Sequence, residues 1–261
     1  MRKVLVITVA VFLVLAACAG QRDLHESRAQ QLTAQSPSIT AAISDSRRPA
    51  ADTARDAERH AAETLAFAGI VPGARVAEIL PGGGYFTRLL AVAVGEQGRV
   101  YPVVRPEATV SSWEKPAIEV ATQYPNVAVV RAEFTAMTFP EPLDVVFTAQ
   151  NYHDFHIAYY RFGDTADINR SAFAALKPGG VYLVIDHAAV TGTPTSAERE
   201  SLHRIDQAVV RQEVEAAGFV VDGESNALRN PGDPRTASIF DPGIRGHTDQ
   251  FMLRFRKPAT R

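Results

Sequence analysis

Val76-Ala77-Glu78-Ile79-Leu80-Pro81-Gly82-Gly83-Gly84-Tyr85-Phe86-Thr87, followed by the apolar-periodic run Arg88-Leu89-Leu90-Ala91-Val92-Ala93-Val94, decides the architecture. A short apolar run, a glycine cluster and a helical period, in that order, predict a parallel strand turning into a helix over a tight loop. Gly82, Gly83 and Gly84 permit positive φ and carry no Cβ to hold a ligand away, and the following helix aims unpaired N–H groups at the same place. The loop therefore reads as a ligand cradle. A mononucleotide P-loop is excluded, because it needs Gly-Lys-Ser/Thr and no lysine occurs between Lys3 and Lys115. The dinucleotide fingerprint fits poorly, since Thr87 stands where a third small residue belongs and Val104 is near where the ribose acid would fall.

Downstream, strands are predicted at Gly98 to Val104, Asn126 to Val130 and Leu143 to Ala149, the last running into Gln150-Asn151-Tyr152-His153-Asp154-Phe155-His156. A helix through Ala172 to Leu176 stops at Lys177-Pro178-Gly179-Gly180, and Val181 to Ile185 is a fifth strand ending in Asp186-His187. Ser201 to Asp206 opens a helix carrying Val209, Val210, Val214 and Ala217. Phe219 to Val221 follows as strand six, and Phe251 to Phe255 alternates apolar and polar as an edge strand does. The long Pro-, Gly-, Asp- and Arg-rich loop between the last two strands is expected to lie over the carboxyl face as a lid, with Arg229, Arg235 or Arg245 closing it. Upstream, Asp52 is expected to cap a helix reaching Ile70. Its Arg55, Asp56, Arg59 and His60 form either a solvated face or a pocket wall.

The quoted stretch resembles motif I of the class I S-adenosylmethionine-dependent methyltransferases, an acidic residue on strand one followed by Gly-x-Gly. The Pro81-Gly82-Gly83-Gly84 variant with its aromatic pair is similar to a subgroup of exported bacterial methyltransferases, and Leu176-Lys177-Pro178-Gly179-Gly180 before a strand is a second methyltransferase-like signal. The resemblance implies an α/β fold with a doubly wound, seven-stranded, mostly parallel sheet whose last strand is antiparallel. It also implies S-adenosylmethionine as cosubstrate, with Glu78, Gly82, Gly83, Gly84 and Tyr85 at its amino-acid end and Glu133 at the adenine amino group. The family's glycine is Leu80 here, which Pro81 is expected to keep extended. Where the family carries an acid at the end of strand two this chain has Val104, and Glu107 is expected to stand in from the loop.

In such a sheet strands one and four lie side by side and ligands bind outside their carboxyl ends. The glycine loop and Asn151 to Asp154 should then face one cleft, joined by Asp186 and His187 from strand five. Asn151, His153, Asp154, Asp186 and His187 are the candidate reactive residues, with His203 and Arg204 as outer contributors. A histidine steered by a carboxylate can take a proton from an attacking hydroxyl or amine. No metal is assigned, because His153-x-x-His156 has no second paired motif of defined spacing. Two functions remain open: a methyltransferase acting on a small molecule, or an exported methyltransferase-like binding module that makes no catalytic use of S-adenosylmethionine.

The chain of 261 residues has a net charge of −2 and no basic run, which argues for one globular domain plus appendages and against nucleic acid as a partner. Residues 1–17 read as a signal peptide, with Arg2 and Lys3 ahead of an uncharged, apolar run from Val4 to Ala17. Leu15-Ala16-Ala17-Cys18 is similar to a lipobox, implying a lipid on Cys18 as the membrane attachment, in the periplasm and by Ala19 at the outer membrane. An ordinary signal peptide with a stray cysteine, or a short anchor, is the alternative. Residues 18–51 read as a tether reaching on the order of 100 Å, and residues 52–261 as the methyltransferase-like domain. Oligomeric state is not legible in these residues.

Overall fold

The computed structural model describes residues 36–195 and 201–259. Strands β1 (Arg75–Ile79), β2 (Arg99–Val104), β3 (Val130–Arg131), β4 (Leu143–Ala149), β5 (Leu176–His187), β6 (Val220–Ser225) and β7 (Gln250–Arg256) form one sheet in the order β3-β2-β1-β4-β5-β7-β6. β1 runs parallel to β2 and β4, β4 parallel to β5, and β7 antiparallel to both β5 and β6. Because side chains alternate across a strand, each central strand feeds two cores. Val76, Val145, Phe147 and Leu183 belong to one, and Ala77, Val146, Tyr182 and Val184 to the other.

Helices α1 (Pro37–Ile43), α2 (Ala50–Thr53), α3 (Ala61–Phe67), α4 (Tyr85–Val94), α5 (Lys115–Gln123), α6 (Thr165–Ala175) and α7 (Gln207–Ala216) cover these faces. Their starts follow local chemistry: Asp164 and Asp206 accept the N–H of Ala166 and Ala208, and Ser36 caps α1 with Pro37 in its first turn. Among the described residues no helix is long and apolar enough to cross a membrane.

Three expectations are corrected. The stretch read as a tether is folded from Ser36 onward: α1 packs on α4 and buries Ile39 and Ala42 completely. The helix expected from Asp52 to Ile70 is broken, with turns over residues 54–60 and His60 in a left-handed conformation (φ 43°). Arg48 pairs with Asp56, and Tyr85 donates to Asp56 at 2.6 Å, so this segment is pulled onto the α4 start instead of coiling in one helix. Leu80 is not extended. It takes φ 54°, a left-handed conformation costly for a branched side chain and one that the family's glycine adopts freely.

Candidate active site

A cavity of about 420 Å³ opens at the carboxyl ends of β1, β4 and β5, the place where the strand order reverses. Gly82, Gly83, Glu78, Tyr85, Asn151, His153, Asp154 and His187 all line it. Ile239 and Phe240 of the loop before β7 complete its wall, so that loop does reach over the cleft.

The glycine half is built by β1 and α4. A Cβ placed on Gly82 or Gly83 would meet nothing within 4 Å, so both face open space. Gly84 does not line the cavity; a Cβ there would come within 2.7 Å of Val120 Cγ2, and its bareness serves helix packing. Glu78 is buried and accepts a 2.5 Å hydrogen bond from Thr87 in the first turn of α4. Burial raises its pKa to about 8, against the opposing pull of Thr87, Arg59 and Arg88. Arg59 reaches in from the broken helix and donates to Gln150 Oε1 at 2.5 Å, while its Nε is buried with no partner among the described residues. Burial, aided by Arg55, lowers the Arg59 pKa to about 10, which leaves it cationic at neutral pH. A half-buried cation lining the cavity, with an unpaired donor beside a glycine cradle, is a place for an anion.

The reactive half is built by the ends of β4 and β5. Asn151 Nδ2 donates to the carbonyls of Leu80 (2.9 Å) and Ala149 (2.6 Å), stapling the turns after β1 and β4 together. Asp186 is fully buried behind His153. It accepts the ring Nδ1–H at 2.7 Å and the backbone N–H at 2.6 Å, and also takes the His187 N–H at 2.7 Å. His153 Nε2 faces Asp154 Oδ1 at 3.1 Å and His203 Nδ1 at 3.2 Å. Burial disfavours a charged ring, yet Asp186 and Asp154 outweigh it and hold the His153 pKa at about 10. A ring protonated at neutral pH has no lone pair to offer, so the general-base role expected of His153 does not follow from this arrangement. His187 is the opposite case: burial, with His153 and Arg204 nearby, pushes its pKa well below the ordinary value and keeps it neutral, with Nδ1 on Thr248 at 2.7 Å.

Other expected residues lie elsewhere. Glu107 pairs with Arg131 at 2.9 Å and its side chain is 75% exposed, because Arg105 folds the loop back onto the buried Glu114. Glu133 is exposed, turned outward as Phe134 beside it enters the core. Arg204 is bound to Asp233, Arg229 and Arg235 hold Asp249, and Arg245 is exposed outside the cavity lining. Arg229 and Arg235 therefore pin the loop rather than close it. His156 points to Glu213 at 3.1 Å. Unanticipated lining comes from Arg59's partner Gln150, in a left-handed turn at φ 62°, and from Tyr160 and Trp113. Trp113 is the chain's single tryptophan and is 38% exposed, a signal that composition alone did carry.

No protein-family model matches the sequence, and no curated protein does. Solved structures are similar. A SAM dependent methyltransferase from Aquifex aeolicus matches at 18% identity and TM-score 0.52, over 88% of this chain and 97% of its own. An arsenic(III) S-adenosylmethionine methyltransferase from Chlamydomonas reinhardtii matches at 16% identity and TM-score 0.52, over 85% and 73%. The [4+2]-cyclase SpnF matches at 17% identity and TM-score 0.57, over 83% and 85%. Likeness at this identity is likeness of fold. The seven-stranded sheet with its antiparallel β7 is the class I methyltransferase fold, and since a cyclase shares it, the chemistry has to be argued from the site.

Proposed function

We propose that the protein is an S-adenosylmethionine-dependent methyltransferase acting on a small molecule in the cell envelope. The observation that carries this reading is the open cradle of Gly82 and Gly83 between buried Glu78 and Arg59, a cation whose Nε has no partner among the described residues. These residues fit the amino-acid half of the cosubstrate: Arg59 suits its carboxylate, the ammonium would favour loss of the Glu78 proton and pair with the carboxylate so formed, and the bare glycines suit the chain between them. Bound there, S-adenosylmethionine would supply an electrophilic methyl group on a sulfonium. The rest of the cavity positions the acceptor, with Tyr160, His203 and Phe240 forming its outer wall. Placement alone accounts for a large share of such a transfer, so a dedicated base is not required.

The adenosine half is the weaker fit. Val104 is fully buried where the family carries an acid, and neither Glu107 nor Glu133 lines the cavity. That observation favours the second reading, a methyltransferase-like binding module. Calorimetry with S-adenosylmethionine and with S-adenosylhomocysteine separates the two. Saturable binding of both, weakened about 10- to 100-fold in Arg59→Gln as expected for a lost charged hydrogen bond, supports the enzyme reading. No heat with either ligand favours the module.

A further inference from the structure

We propose that His153, Asp154 and His203 form a binding site for one divalent transition-metal ion, opening onto the acceptor half of the cavity. Their donor atoms make a near-equilateral triangle: His153 Nε2 to Asp154 Oδ1 is 3.1 Å, His153 Nε2 to His203 Nδ1 is 3.2 Å, and His203 Nδ1 to Asp154 Oδ1 is 3.2 Å. Hydrogen bonds cannot satisfy all three edges. If both nitrogens carry protons, each donates to Asp154 and the two N–H groups face one another. If only one carries a proton, an edge is left with two lone pairs opposed.

A cation in the middle satisfies every edge at once. Ligands about 2.1 Å from a metal lie about 3.0 Å apart at right angles and about 3.4 Å apart at the tetrahedral angle, and the observed separations fall between these values. Charge agrees as well: an ion that displaces the proton held on His153 Nε2 leaves neutral rings, and the carboxylates of Asp154 and Asp186 then equal a divalent charge. Asp186 holds His153 Nδ1 at 2.7 Å, which fixes the tautomer that leaves Nε2 free to ligate, the arrangement that outer carboxylates give metal-bound histidines.

Two imidazoles and one carboxylate suit zinc, iron, cobalt or manganese better than magnesium or calcium. All three residues line the cavity, so further coordination positions face the space opposite Gly82. His203 sits in a left-handed conformation at φ 52°, a strained backbone held where its ring meets the other two. If the methyl-transfer reading holds, on which this role rests, the ion would take an acceptor's oxygen or sulfur as its conjugate base beside the methyl donor.

The test is titration of the chelator-stripped protein with Zn²⁺ by calorimetry and with Co²⁺ by visible absorption. One equivalent should bind, with Co²⁺ bands of four- to six-coordinate nitrogen–oxygen ligation. His203→Ala and Asp154→Asn, both at the cavity wall, should weaken binding about 100-fold while retaining the wild-type circular dichroism, and Asp186→Asn should weaken it about 10-fold. His156→Ala, which leaves the triangle intact, should bind as wild type. Absence of stoichiometric Zn²⁺ and Co²⁺ binding by folded wild type overturns the site, as does equal binding by His203→Ala. Metal binding without S-adenosylmethionine binding overturns only the methyl-transfer reading, and the converse overturns only the metal site.

Discussion

At the scale of single residues, the three glycines of the cradle separate into two kinds. Gly83 needs no positive φ and faces open space, whereas Gly84 has φ 77° and sits against Val120. Gly83→Val should therefore fill the cradle and abolish cosubstrate binding with a melting temperature close to wild type. Gly84→Val should instead cost about 1–3 kcal/mol of stability through overpacking, measured by denaturant unfolding. The reverse pattern would place the ligand against Gly84. Glu78 makes a pH prediction. Its folded pKa of about 8 lies above the ordinary 4.5, so the native state holds the proton more tightly than the unfolded chain. That stabilisation is complete below pH 4.5 and is lost as pH rises toward and through 8, by on the order of 5 kcal/mol. Glu78→Gln should flatten this stretch of the stability–pH curve, and an unchanged slope would show Glu78 ionised in the fold. The motif showed that Gly82 to Gly84 mattered, but which glycine faces ligand and which faces helix α5 depends on a contact with Val120, 36 positions away by number.

At the scale of elements, the sequence was legible wherever period and punctuation coincide. β1 and β4 fall where apolar runs and glycine stops put them, and the cleft at the carboxyl ends of β1, β4 and β5 follows from strand order; but β5 already begins at Leu176, through the Lys-Pro-Gly-Gly expected to stop a helix, and β7, expected at the edge, lies between β5 and β6. The sequence was illegible where tertiary contacts override local preference. The run from Asp52 has good helix formers, yet the Arg48–Asp56 pair and the Tyr85 hydroxyl draw it into turns that deliver Arg59 to the cavity. Ser36 to Ile43 has a tether-like composition, and it is the packing of Ile39 and Ala42 against α4 and α3 that makes it part of the body. Ile39→Ala should cost about 3 kcal/mol, and a chain starting at residue 52 should melt well below one starting at residue 36. Equal melting temperatures would return residues 36–51 to the tether.

At the scale of the whole molecule, a packed body from Ser36 onward changes how far the cavity can stand from a membrane. We propose that the mature protein begins at an acylated Cys18, which lies outside the described residues; the motivation is the charged, apolar and lipobox-like order of residues 1–18. Because α1 is seated on α4, chain length between the lipid and the body comes from residues 18–35 alone. Backbone dimensions then limit the separation to about 60 Å instead of about 100 Å. Cys18 is also the chain's single cysteine, so its loss removes no disulfide and no described core contact. Cys18→Ala should therefore move the protein from the membrane to the soluble fraction with its melting temperature unchanged. Mass spectrometry of wild type should show the N-terminal cysteine carrying fatty acyl groups. An unmodified Cys18, or a mature N-terminus elsewhere, would refute the anchor while leaving the cavity and its two proposed ligands to be judged by the titrations above.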